Sequence, residues 1–273
     1  MTSAFVTGAT GFLGRHLCAA LRARGVTVHE YRRDQGDIAA ATAMCTAIGS
    51  ARPDCVFHLA ADTRRDVQLP EMFQTNVVGT QNVLQAAGDC PVVVVGSFEE
   101  YGDCPTPFRE DMAPQPRSPY GISKAIATAL ATARGATVIR LPVVYGPGQP
   151  PESFIGGLCA ARRAGKRLAM SPGEQTRDFL FVSDAVTALL LAGEKFTGCR
   201  GEIFNACTGQ PVSLREVAIQ LGDIADFGAL PYRENEQMRY VGDPGKIQRA
   251  LGWRAKVSLS DGLCRTLAGD TQQ

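Results

Sequence analysis

The sequence predicts an α/β fold: a doubly wound parallel sheet, with a smaller mixed lobe built from later segments. Three observations predict it. Strand-sized apolar runs recur at Ala4–Thr7, Val26–Tyr31, Cys55–Leu59, Val92–Gly96 and Thr137–Leu141, and apolar blocks suit strands covered on both faces. The intervals between them are long enough for helices, and strand–helix–strand order with such crossovers builds a parallel sheet. A run rich in Pro and Gly, residues 142–151, then breaks the alternation, and the remainder is more loop-rich.

Each element follows from its residues. The first run leads directly into Thr7-Gly8-Ala9-Thr10-Gly11-Phe12-Leu13-Gly14, a turn that opens a helix over Leu13–Arg24, and Gly25 stops that helix. The second strand ends in Tyr31-Arg32-Arg33. Pro70–Ala87 carries Met72, Phe73, Val77, Val83 and Leu84 at helical spacing and stops at Gly88. Pro119 opens a helix after the fourth strand, and residues 154–165 predict another. Residues 179–182 and 202–206 read as strands that return to the first sheet. The expected division is a sheet domain of residues 1–141 and 179–207, and a second lobe of residues 142–178 and 208–273.

Composition narrows the class. With 273 residues, 45% of them hydrophobic, the chain can bury a core without disulfides or metal. The 28 Lys and Arg nearly balance the 27 Asp and Glu, and the Arg pairs at 32–33, 64–65 and 162–163 are isolated. No basic stripe follows a phosphate backbone, so nucleic acid is not an expected partner. The nine cysteines form no Cys-x-x-Cys pair and the three histidines do not cluster near them, which points to reduced, mostly buried thiols and no metal site. The N-terminus passes straight into a strand-like run, and no stretch approaches about 18 uninterrupted apolar residues. The reading is a cytoplasmic protein with no membrane partner.

The glycine turn carries the first chemistry. Gly8 permits a tight turn, Gly11 lets backbone approach a diphosphate, and Gly14 lets the helix pack on the strand. The helix N-terminus adds N–H groups and partial positive charge, which suit the diphosphate of a dinucleotide. A helix-opening turn with incidental glycines is the bland alternative, and the position between first strand and first helix argues against it. The Gly-x-x-Gly-x-x-Gly spacing resembles the extended short-chain dehydrogenase/reductase family, in the branch of nucleotide-sugar epimerases, dehydratases and 4-ketoreductases. The resemblance covers almost the whole chain. It implies a Rossmann-type sheet domain that binds NAD or NADP through Gly8, Thr10, Gly11, Phe12, Leu13 and Gly14, and a C-terminal lobe for a nucleotide-diphosphate sugar.

Which dinucleotide is bound turns on the end of the second strand. Arg32 falls where NAD-preferring members of the resembled family carry an acid. A guanidinium fork suits a 2′-phosphate, so Arg32 and Arg33 favour NADP(H). Two solvated arginines are the alternative, and nearby Glu30 keeps NAD(H) open. Gly36-Asp37-Ile38 resembles the family's acidic contact to adenine. His58-Leu59-Ala60-Ala61 resembles its turn beside the cofactor, with Leu59, Ala60 and Ala61 in contact and His58 itself structural. Asn76 resembles the family's helix-bending Asn, and Leu141 completes the expected cofactor set.

Tyr120 and Lys124 stand four apart, which on a helix puts both on one face. A lone Tyr-x-x-x-Lys means little, but here it opens the helix after the fourth strand, where parallel sheets gather their sites. Free tyrosine has a pKa near about 10, and a neighbouring ammonium brings it toward neutrality. The resemblance implies that Tyr120 exchanges the proton, Lys124 tunes it and holds the ribose, and Ser97 hydrogen-bonds the reacting oxygen. Tyr101 is expected to pack or to line the pocket.

For the substrate, the resemblance implies contacts from Thr63, Ser97, Phe98, Glu99, Tyr120, Val143, Arg177 and Arg233. Arg177-Asp178-Phe179 and Pro231-Tyr232-Arg233-Glu234 match its diphosphate-binding arginines, with surface salt bridges as the alternative. Leu251-Gly252-Trp253 matches a terminal packing motif. Departures narrow the reaction. Phe98 stands where dehydratases carry the Asp of an Asp-Glu pair, which disfavours water elimination. Val143 stands where many relatives carry a sugar-contacting Asn.

The favoured expectation is NADPH-dependent reduction of a nucleotide-diphosphate 4-keto-6-deoxyhexose. An NAD-dependent 4-epimerase is the alternative, and a non-catalytic NAD(P)-sensing binding protein the reading from another class. A homodimer is expected from the resemblance.

Overall fold

The computed structural model describes residues 1–64, 67–222, 224–234 and 236–270. Its centre is a six-stranded parallel sheet in which β1 (Ser3–Thr7), β2 (Thr27–Tyr31), β3 (Cys55–His58), β4 (Val92–Ser97) and β5 (Thr137–Leu141) are joined by Ile203–Asn205. The order across the sheet is Ile203–Asn205, β5, β4, β3, β1, β2. The chain reverses its direction of travel between β1 and β3, so a crevice opens beyond the carboxyl ends of those two strands.

Apolar blocks form these strands because both faces are covered. On one face, α1 (Phe12–Ala23) and the helix Val182–Glu194 bury Leu17, Cys18, Leu21, Ala185 and Leu189 against Phe57, Val93 and Ile139. On the other, the helices Ala41–Ala51, Gly79–Ala87 and Pro119–Ala133 bring Met44, Ile48, Val83, Leu84 and Ala131 onto Val56, Val92, Val94 and Val138. The expected helix over Pro70–Ala87 runs from Leu69 to Ala87, with one π-helical turn at Gln74–Val78.

The remaining segments build their own core from Tyr145, Ile155, Leu158, Met170, Phe179, Phe181, Val217, Leu221 and Leu263. One expectation is corrected here. Phe179–Phe181 does not rejoin the central sheet; it pairs in parallel with Val143–Tyr145. The free edge of β5 is taken by Ile203–Asn205, so that strand alone makes the return. Thr176–Arg177 pairs with both Val212–Ser213 and Arg239–Tyr240, which places Tyr240 beside Arg177. All nine cysteines are free thiols. Among the described residues, no helix is long and apolar enough to cross a membrane.

Candidate active site

The glycine turn sits at the end of β1. Gly8 lies at φ +69°, and a Cβ there would stand 2.7 Å from the Ala60 nitrogen. A Cβ on Gly14 would stand 2.1 Å from the Gly8 carbonyl oxygen. Any side chain at either position would force the turn, the helix and the residues after β3 apart. Gly11 begins α1 with no side-chain cap, so Phe12, Leu13 and Gly14 open a helix whose positive end faces the crevice. Thr10 is exposed, and its carbonyl accepts from Arg15 at 2.8 Å.

Beyond β2, Arg32 is exposed and already engaged. Glu30 accepts from Arg22 at 2.5 Å and from Arg32 at 2.9 Å, and both arginines hold its carboxyl below the usual range. Arg33 is exposed, and its charge reaches Asp62. The guanidinium of Arg64, bonded to Asp62 at 2.6 Å, does most to keep that carboxyl ionised. Thr63 is exposed between them. Asp37 accepts from the Ala39 amide at 2.9 Å, while Ile38 is buried against Gly79 and its carbonyl accepts from Asn82.

The turn after β3 is fixed by a buried relay. Thr7 Oγ1 accepts from the Ala60 amide and meets His58 Nδ1 at 2.7 Å; His58 Nε2 meets Thr80 Oγ1 at 2.9 Å. Thr80 gives its own proton to the Asn76 carbonyl at 2.6 Å, so it accepts from His58, and the imidazole is the neutral Nε2–H tautomer. Burial first, and the Lys124 charge second, push the His58 pKa down to about 3. Leu59, Ala60 and Ala61 follow, half-buried at the rim. Asn76 lies in the π turn, accepts from the Asp62 amide at 2.6 Å, and donates to the Asp62 carbonyl and to Ser123. Both ends of its amide are engaged inside the protein.

Ser97 ends β4, register partner of Leu141, which is buried on β5. The Ser97 hydroxyl accepts from the Glu99 amide at 3.2 Å. The helix Pro119–Ala133 docks against this turn at two places. Ser118 Oγ caps the helix by accepting from the Gly121 amide and donates to Glu99 at 2.6 Å. Lys124 Nζ donates to the Val95 carbonyl at 2.5 Å. Ser97 therefore stands between Val95 and Glu99, opposite the first turn of the helix that carries half-buried Tyr120. Lys124 is itself buried, and burial lowers its pKa while the Glu100 charge opposes that shift.

One further expectation changes. Phe98 is 1% exposed, its ring edge-on to Tyr101 and Phe108 at 5.8 and 5.6 Å. It belongs to an aromatic cluster behind the turn and offers no surface to a sugar. Arg177 and Arg233 differ in setting. Arg177 is half-buried, paired with Glu236, and lies over the Tyr240 ring at 5.6 Å. Arg233 is exposed on the segment leading to Tyr240. Asp178, next to Arg177, is a buried clamp that accepts from Thr208 and Gly209, and burial raises its pKa. Val143 is half-buried opposite Phe179.

A family model described as the NAD dependent epimerase/dehydratase family matches residues 4–207. The chain belongs to that family. The dTDP-glucose 4,6-dehydratase of Streptomyces griseus is 32% identical, covering 98% of this chain and 93% of the relative. The GDP-6-deoxy-D-mannose reductase of Pseudomonas aeruginosa is 30% identical, covering 95% and 94%. The solved structure of RMD from Pseudomonas aeruginosa complexed with NADPH superposes with a TM-score of 0.86 at 27% identity, covering 100% of each chain.

Around this candidate site, three residues escaped sequence reasoning. Glu100 is fully buried and paired with Arg140 at 2.8 Å. Tyr240 packs edge-on to Phe108 at 4.9 Å; burial first, then the Glu99 charge, raise its pKa. Arg15 ties Thr10 of the glycine turn to Gly148. A doubled Glu after an apolar strand could have flagged Glu100, since a charged residue in that position needs a partner. Nothing local marked the other two.

Proposed function

We propose that this family member reduces the C4 ketone of a nucleotide-diphosphate 4-keto-6-deoxyhexose with NADPH. The observation that carries the reading is the turn after Ser97. Phe98 places a buried ring where an elimination acid would be needed, and Glu99 is hydrogen-bonded to Ser118. Ser97, Tyr120 and Lys124 remain as a carbonyl-reducing set, which supports an oxidoreductase and disfavours a dehydratase.

The glycine cradle, in which a Cβ on Gly8 or Gly14 would strike backbone, and the uncapped start of α1 fit a dinucleotide diphosphate. Arg32 and Arg33 would meet a 2′-phosphate, beside Asp37, Ile38, Leu59, Ala60, Ala61 and Leu141. The chemistry NADPH would supply when held there is a hydride for the sugar C4. Tyr120 gives its phenolic proton to the oxygen as charge develops there, and the Ser97 hydroxyl donates a hydrogen bond to the same atom. The Lys124 ammonium, with two N–H groups beyond the one held by Val95, favours the phenolate left on Tyr120. Arg177 and Arg233 would take the sugar diphosphate, Arg177 by exchanging Glu236 for it. A homodimer through the Tyr120 helix belongs to the same proposal.

A 4-epimerase is the second reading, and Glu30 favours it: its carboxylate, already on Arg32, could accept from the 2′-hydroxyl of NAD. A panel of GDP-, dTDP- and UDP-linked 4-keto-6-deoxyhexoses with NADPH and NADH, followed at the dihydronicotinamide absorbance, separates the two. Steady NADPH consumption is expected with at least one sugar. Tyr120→Phe should lower it by about 10²–10⁴-fold while NADPH still binds. Protein that purifies with tightly held NAD and consumes no external hydride overturns the reductase. A Tyr120→Phe variant as active as wild type overturns the assigned chemistry.

A further inference from the structure

The turn after Ser97 holds a buried carboxylate for which the reaction scheme above has no use. Glu100 is fully buried, yet it points back into the sheet end. Its Oε1 accepts from the Ser97 backbone amide at 2.7 Å, and its Oε2 accepts from Arg140 Nε at 2.8 Å. Arg140 comes from the neighbouring strand β5, is 1% exposed, and lies over the Tyr101 ring at 4.5 Å. Tyr101 is fixed in turn by donating to Asn205 at 2.8 Å. The carboxylate is thus held from two strands, β4 through the Ser97 amide and β5 through Arg140. The fit is close at Gly96, where a Cβ would stand 2.7 Å from Glu100 Oε1.

A buried ion pair adds little to stability compared with apolar side chains of similar volume, because two charges have lost their water. A short turn could be capped by Ser97 alone. What the carboxylate adds here is rigidity at one peptide: the Ser97 amide is locked from inside while its hydroxyl is left at the cleft. We propose that Glu100 is a positioning residue, which fixes the Ser97 backbone through its amide and thereby aims the Ser97 hydroxyl at the reacting oxygen. Arg140 holds the carboxylate in place. This rests on the ketoreductase reading of the site.

The test separates the amide acceptor from the charge. Glu100→Gln/Arg140→Met keeps an oxygen for the Ser97 amide and removes both charges. Glu100→Leu/Arg140→Met removes the acceptor as well. Glu100→Asp keeps a carboxylate for Arg140 but draws it back from the amide, so it gives the same comparison if the apolar pair fails to fold. Single-turnover oxidation of NADPH is followed with the 4-keto sugar that wild type accepts from the panel. Because the Glu100 charge also supports the Lys124 ammonium, rates are compared at the plateau of each pH profile, where the Gln pair should stay within about threefold of wild type. The Leu pair and Glu100→Asp should each lose about tenfold or more in hydride-transfer rate with both KM values nearly unchanged, since a small misplacement of a reacting group costs that much. Wild-type rates in the Leu pair or in Glu100→Asp overturn the inference, as does an equal loss in the Gln pair. Ser97→Ala run alongside tells the two claims apart. If it is slow while the Glu100 variants are not, the inference falls and the ketoreductase stands. If wild type turns over no 4-keto sugar, both fall.

Discussion

At Arg32 one guanidinium has one carboxylate partner and could take a phosphate in its place. In the structure it is bonded to Glu30, which Arg22 also holds. A 2′-phosphate would offer more negative charge and several oxygens to the same fork, so phosphate should displace Glu30. Arg32→Asp is expected to move the ratio of kcat/KM for NADPH over NADH by about tenfold or more toward NADH, the scale of charge-assisted hydrogen bonds. An unchanged ratio would remove Arg32 from the cofactor argument. The placement of Arg32, Tyr120 and Ser97 was legible because it follows from strand ends and helix spacing. The sequence hid the engagement of Arg32 by Glu30, since strand residues two apart share a face but nothing local says they will bond. It misjudged Phe98 for a related reason: a residue after a strand can turn toward the cleft or the core, and the rings of Tyr101, Phe108 and Tyr240 drew it inward.

Between elements, the structure depends on buried polar links that no periodicity predicts. The strands and helices were legible because the apolar runs and glycine stops agree with one another. The π turn was not, because its extra residue leaves the apolar spacing of 69–87 nearly helical. That turn sets Asn76 where it joins the loop at Asp62 to Ser123 on the Tyr120 helix. His58 joins β1, β3 and the helix Gly79–Ala87 in the same way. Its pKa is about 3 in the fold and 6.5 as the ordinary value, so only the unfolded chain gains a proton between them. The stability this neutral imidazole contributes is present above pH 6.5 and is lost as pH falls toward 3. At pH 5 the loss should be about 2 kcal/mol relative to pH 7. Urea unfolding at the two pH values measures it, and His58→Gln should show a flatter dependence. A wild-type profile as flat as the variant's would show that the imidazole does not stay neutral.

Across the whole molecule, the parallel sheet was foreseeable from strand–helix alternation, while its strand order and the pairings of the second lobe were not. Its strands are two or three residues long, too short for periodicity, and its pairings bring together segments far apart in sequence. The lobe division at residues 142–178 and 208–273 stands as a proposal, with Phe179–Phe181 joined to the smaller lobe through Val143–Tyr145 and Asp178 where its two parts meet. Its carboxylate accepts from Thr208 and Gly209 just after the last sheet strand, while its neighbour Arg177 belongs to the small three-stranded sheet. Asp178→Ala would leave those amides without their acceptor and should cost about 2–4 kcal/mol in urea unfolding. Loss of less than about 0.5 kcal/mol would mean that the junction is held otherwise.

Trp253 is the chain's one tryptophan. It is 2% exposed and gives its indole N–H to the Asp184 carbonyl, while the Asp184 side chain accepts from the Lys256 and Val257 amides. The fold thus carries a built-in optical probe at the point where its tail is fastened to the sheet-covering helix Val182–Glu194. Emission from a dry indole lies toward the blue. A red shift that precedes loss of far-ultraviolet dichroism would report the tail peeling away before the sheet melts.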